Sequence, residues 1–90
     1  MKLKDGFVVQ KVGNAYLAVA VGARADDFNA MVRMNGTGAF LWNLLSAGEK
    51  THEELVLAVM SEYQGVSREV AEADIIKFEN QLKDGGLLDE

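Results

Sequence analysis

The sequence has 90 residues, 49% of them hydrophobic and 26% charged, with a formal net charge of -5 at pH 7. This length and composition predict a single folded domain over residues 1–90 and exclude an intrinsically disordered chain. Cysteine is absent, which excludes disulfides and thiolate metal sites, and the negative net charge disfavours nucleic acid as a partner.

Two apolar segments near the N-terminus, residues 7–12 and 15–21, are separated only by Gly13-Asn14. A connection of two residues predicts a tight β-hairpin, because Gly accepts the positive φ angle that such turns require. The resulting register places Val8 opposite Val19 on one face of the sheet. Both faces of the hairpin are apolar, so the pattern leaves open which of them meets the core.

A third strand is expected from Ala30 to Met34, after a polar loop. Strand alternation places Val32 and Met34 on the core face, and Met31 and Arg33 on the opposite face. As the last strand before the helices, it is expected to lie at the edge of the sheet. Its free N–H and C=O groups could then pair with an added peptide strand.

Two short helices are expected next. An apolar segment over about residues 37–46 predicts the first, with Asn35 or Thr37 as the N-cap that accepts a hydrogen bond from a free N–H. The second begins at the capping box Thr51-His52-Glu53-Glu54 and is expected to end near Tyr63. Both helices carry apolar residues that are expected to enter the core.

The third helix is expected from Ser67 to about Asp84, with Gly85-Gly86 as its end. We expect Leu87-Leu88 to pack back on the domain. The core stripe of the helix consists of residues at spacings of four, three and four: Ala71, Ile75, Phe78 and Leu82. The predicted fold is therefore α+β and similar to a winged helix-turn-helix, with a three-stranded antiparallel sheet followed by three helices.

The sequence offers no arrangement of residues for catalysis. His52 is the single histidine and is expected on the surface, so it completes neither a zinc site nor a catalytic triad. The adjacent carboxylates Glu53-Glu54 and Asp26-Asp27 are assigned to capping or to contact with solvent. Asn35-Gly36-Thr37-Gly38 lacks the Lys of a phosphate-binding loop. We therefore expect a binding protein that is not an enzyme and has no cofactor or metal.

Two modes of binding remain open for such a fold. A winged helix reads DNA with its third helix. Residues 67–84 hold five acidic and three basic side chains, and the net negative charge of this helix would repel phosphates. A peptide could instead bind between the third strand and the third helix, where Ile76 lies outside the core stripe. Periodicity alone does not distinguish such a groove from an ordinary surface. No segment has the pattern of a signal peptide or a membrane span, so we expect a cytoplasmic protein without a membrane partner.

The sequence also resembles a known family over almost its whole length. The most specific segment is Met34-Asn35-Gly36-Thr37-Gly38-Ala39-Phe40-Leu41-Trp42, which contains the pattern Asn-x-Thr-Gly-x-x-x-Trp. Three further segments add to it: Leu3-Lys4 to Phe7-Val8-Val9, Asp27-Phe28-Asn29, and Asp74-Ile75 to Phe78, Leu82 and Gly86-Leu87-Leu88. Together they are similar to the family of PQQ-synthesis protein D (PqqD).

This resemblance implies a peptide chaperone, or recognition element, for ribosomally synthesised and modified peptides (RiPPs). Such a protein holds the leader of a precursor peptide as a strand added between the third strand and the third helix. It presents the leader to a modifying enzyme, for example a radical-SAM protein, in the biosynthesis of pyrroloquinoline quinone (PQQ) or of another modified peptide. A DNA-binding winged helix is the alternative. Carried over to this sequence, the implied peptide-binding residues are Ala30, Met31, Val32, Arg33, Met34, Glu72, Ile76, Glu79 and Lys83.

Overall fold

The computed structural model describes residues 1–22, 25 and 31–89. Three strands are followed by three helices: β1 (Phe7–Val12), β2 (Ala15–Ala20), β3 (Val32–Met34), α1 (Gly36–Ser46), α2 (His52–Glu62) and α3 (Arg68–Gly85). The strands form one antiparallel sheet in the order β1-β2-β3. The predicted α+β order of elements is therefore confirmed.

The hairpin of β1 and β2 forms with the predicted register. Gly13 has a φ angle of 61°, and Val8 lies opposite Val19. The other face of the hairpin meets the core, since Ala18 is buried and Val9 packs against the core cluster. Val8 is exposed. The face of the hairpin that carries Val9 and Ala18 is therefore the one that meets the core, which the hairpin sequence alone left open.

Strand β3 begins later than the predicted first residue, Ala30, which lies outside the described residues. Met31 directly precedes the strand and is 64% exposed. Val32 and Met34 are buried and Arg33 is exposed, as alternation predicts. Among the described strands β3 pairs with β2 alone, so its other edge is open to an additional strand.

Helix α1 lies very close to β3. Of the two predicted N-caps, Asn35 takes the role, and its Oδ1 accepts a hydrogen bond from the Gly38 N–H at 2.9 Å. A Cβ atom on Gly38 would lie 2.9 Å from the Cβ of Met34, too close for any side chain without a shift. The segment with the most specific family pattern therefore joins β3 to α1 and sets their close approach.

The other two helices begin where their caps predict. Glu54 N–H donates to Thr51 Oγ1 at 3.1 Å, and Thr51 N–H donates to Glu54 Oε1 at 2.9 Å, which completes the capping box of α2. This backbone donor lowers the pKa of the Glu54 carboxyl. Ser67 caps α3, and Gly86, with a φ angle of 76°, ends it. Within the described ranges, none of the helices combines the length and hydropathy needed to cross a membrane.

The C-terminal segment packs back on the domain, as expected. Leu87 and Leu88 are 1% and 8% exposed, and burial of each such side chain contributes about 1.5–3 kcal/mol to stability. Leu88 forms an antiparallel bridge with Leu3, and Lys4 N–H donates to the Leu87 carbonyl at 2.8 Å. The two ends of the described chain thus meet beside the C-terminus of α3.

Candidate functional site

A cleft of about 370 Å³ lies between the free edge of β3 and helix α3. One of its walls comes from β3 and the other from α3, while the hairpin turn and the first turn of α1 close one end. The lining residues are Asn14, Ala15, Arg33, Met34, Asn35, Thr37, Gly38, Asp74, Lys77, Phe78 and Gln81. The cleft therefore runs along the unpaired edge of β3, while the other free edge of the described sheet belongs to β1.

The backbone of Arg33 points into this cleft. Gln81 Nε2 on α3 donates to the Arg33 carbonyl, with 3.4 Å between nitrogen and oxygen, so this carbonyl points away from β2. In an antiparallel strand the N–H and C=O of one residue lie on the same edge, and the next residue uses the opposite edge. Arg33 thus presents both backbone groups to the cleft, while Val32 and Met34 present theirs to β2.

Helix α3 turns one flank of its core stripe toward the cleft. Asp74, Lys77 and Gln81 each precede a residue of the core stripe by one position, and all three line the cleft. The predicted positions Glu72, Ile76, Glu79 and Lys83 each follow a residue of that stripe by one position. The stripe therefore has two flanks, and the cleft lies on the flank opposite to the predicted one.

The four predicted helix residues are therefore not among those that line the cleft, and their contact with a peptide stays a prediction. Ile76 precedes Gln81 by five positions, which separates them by about 140° around the helix. The predicted flank lies toward α2, because Arg68 pairs both with Glu53 on α2, at 2.6 Å, and with Glu72, at 3.2 Å. Periodicity identifies positions outside the core but does not tell one flank from the other.

The comparisons with known proteins agree with this architecture. Residues 10–88 match the family of coenzyme PQQ synthesis protein D (PqqD). The chain belongs to the PqqD family. A solved structure, TbiB1 in complex with the TbiA(beta) leader peptide, is 27% identical with a TM-score of 0.72, over 99% of this chain and 95% of that chain. No curated protein matches the chain.

The predicted family is thus confirmed, and the predicted strand residues of this PqqD-family chain take two different positions. Val32 and Met34 are core residues that hold β3 in place, and Met34 also forms part of the cleft wall. Met31 and Arg33 are exposed, and their side chains are available to a ligand. Contact of any of these residues with a peptide remains a prediction.

The four predicted helix residues lie at the surface of α3 outside the cleft. Glu79 pairs with Lys83 at 3.7 Å, one turn apart on the exposed surface of α3. Ile76 is 49% exposed, and Glu72 accepts a hydrogen bond from Arg68. A contact between these residues and a peptide is likewise untested, but such a contact would lie outside the cleft.

The polar residues that were considered for catalysis or metal binding do not form such a site among the described residues of this PqqD-family chain. Arg68 donates to Glu53, which lowers the pKa of that carboxyl and raises the pKa of Arg68. His52 is exposed in the first turn of α2. Asp26-Asp27 lies outside the described residues. Within the described ranges, no cluster of His, Cys, Asp and Glu side chains is placed to hold a metal ion.

Proposed function

We propose that this chain is a non-catalytic peptide chaperone that binds the leader of a ribosomally synthesised precursor peptide as a strand added to β3. It presents the leader to a modifying enzyme, for example a radical-SAM protein, in the biosynthesis of PQQ or of another modified peptide. The observation that carries this proposal is the unpaired edge of β3 beside the cleft. Membership of the PqqD family supports peptide binding, and the similar protein TbiB1 was solved with a leader peptide.

Strand addition fits the geometry of the cleft. A peptide strand would lie about 4.8 Å from β3 and exchange hydrogen bonds with the N–H and C=O of Arg33. Its opposite side would face Asp74, Lys77 and Gln81 on α3. Main-chain hydrogen bonds would supply affinity, and the alternate side chains of the peptide would supply specificity.

Neither comparison supports the alternative of DNA binding. Helix α3 would be the reading helix of a winged-helix DNA-binding protein. Two of its three basic residues, Arg68 and Lys83, are engaged in salt bridges with glutamates. An acidic helix with two of its three cations already paired is a poor match for a phosphate backbone.

The test compares two substitutions of Arg33. R33P removes an N–H from the free edge while leaving the hydrogen bonds between β2 and β3 in place, which proline tolerates at an edge. R33A removes the same side chain but keeps the N–H. A peptide is first selected from a displayed random library against the wild-type protein, and its Kd for each variant is then measured by calorimetry.

We expect R33P to bind the selected peptide about tenfold more weakly than R33A, since it loses one main-chain hydrogen bond and its ring crowds the edge. Circular dichroism checks that both variants are folded. Equal affinities of the two folded variants would refute strand addition at Arg33. Recovery of no peptide from the library would contradict peptide binding itself.

A further inference from the structure

Each wall of the cleft carries one basic side chain. Arg33 lies on β3 and Lys77 on α3, and both are exposed and line the cleft. Among the described residues, neither side chain is in a salt bridge, whereas Arg68 and Lys83 on the same helix are paired with glutamates. The two cations beside the cleft are therefore available to a ligand.

The charge of the cleft also differs in sign from that of the chain. Two basic side chains and one acidic side chain, Asp74, line the cleft, while the whole chain has a net charge of -5. Asp74 precedes Lys77 by three positions, but the described residues contain no ion pair between them. A locally basic cleft on an acidic protein favours carboxylates in a partner and disfavours cations.

We infer that the bound peptide strand carries an Asp or Glu side chain that Arg33 and Lys77 recognise together. This inference rests on the proposed strand addition. A residue directly opposite Arg33 on the added strand would project its side chain on the same face of the sheet, with about 4.5–5.5 Å between the two Cβ atoms. A carboxylate at that distance is within reach of two parallel hydrogen bonds from a guanidinium. Lys77 approaches the same strand from the opposite wall.

The test is a parallel selection from one displayed random library, with each peptide fused at its C-terminus so that carboxylates come from side chains. The baits are the wild-type protein, the charge-reversed variant R33E/K77E and the control K2E/K11E. The control has the same change in net charge, but neither of its residues lines the cleft.

Peptides selected by the wild-type protein and by the control are expected to share an Asp or Glu at one position. Peptides selected by R33E/K77E are expected to have Lys or Arg at that position. Exchanging this acid for Lys in a wild-type binder should weaken its binding to the wild-type protein about tenfold and restore binding to R33E/K77E. Binders without a shared acid, or the same acid among R33E/K77E binders, would overturn the inference and leave peptide binding intact. A wild-type selection without any binder would instead contradict the proposed function.

Discussion

Gln81 lies where the backbone of a bound peptide is expected. Its side-chain amide donates to the Arg33 carbonyl across the cleft at 3.4 Å. A strand added beside β3 would bring its own N–H to that carbonyl, so the amide of Gln81 and the peptide would compete for one acceptor. Without a peptide, the amide partly covers an edge that would otherwise be free to pair with other chains.

Removal of this competitor should strengthen peptide binding. We expect Q81A to bind the selected peptide about two- to fivefold more tightly than the wild-type protein, because the peptide no longer has to displace an existing hydrogen bond. N80A is the matched control, since Asn80 is the neighbouring exposed amide and does not line the cleft. Calorimetry measures the Kd of the peptide for both variants. Weaker binding of Q81A would show that Gln81 contacts the peptide instead of competing with it.

At the scale of single elements, the close approach of α1 to β3 depends on one glycine. A Cβ atom on Gly38 would meet the Cβ of Met34 at 2.9 Å, whereas a Cβ atom on Gly36 would have no neighbour within 4 Å. The two glycines lie in the same first turn of α1 and thus form a matched pair. Because Met34 also lines the cleft, a shift of α1 would change the cleft as well.

We expect G38A to lower the free energy of unfolding by about 1–3 kcal/mol, because the added methyl group must push β3 and α1 apart. G36A should be neutral or up to about 1 kcal/mol more stable, since Ala favours a helix over Gly. Urea denaturation followed by circular dichroism measures both changes. Equal stabilities of the two variants would show that Gly38 is not needed for this approach.

Elements that depend on neighbouring residues could be predicted from the sequence. The turn at Gly13 and the caps at Thr51 and Ser67 form as expected, because each rests on residues a few positions apart. The flank of α3 beside β3 could not be predicted. Ile76 and Gln81 both lie outside the core stripe, and only the packing of a distant strand decides which of them faces the cleft.

At the scale of the whole molecule, the two ends of the described chain pair with each other just after α3. The Asp89 N–H donates to the Lys2 carbonyl at 2.8 Å, next to the bridge between Leu3 and Leu88. Near the end of α3, a Cβ atom on Gly85 would lie 3.1 Å from a methyl group of Val32 on β3. The apolar pair Leu87-Leu88 predicts that this end of the chain packs back on the domain. Its partner, Leu3, could not be predicted, because it lies at the opposite end of the chain and no pattern near residues 87–88 points to it.

Amide hydrogen exchange at β3, measured by NMR with and without saturating selected peptide, tests strand addition most directly. The Arg33 N–H faces the cleft, while the N–H groups of Val32 and Met34 face β2. We predict that the peptide slows exchange at Arg33 strongly and changes exchange at Val32 and Met34 much less, because only Arg33 gains a hydrogen-bond partner. An unchanged exchange rate at Arg33 under saturating peptide would contradict strand addition.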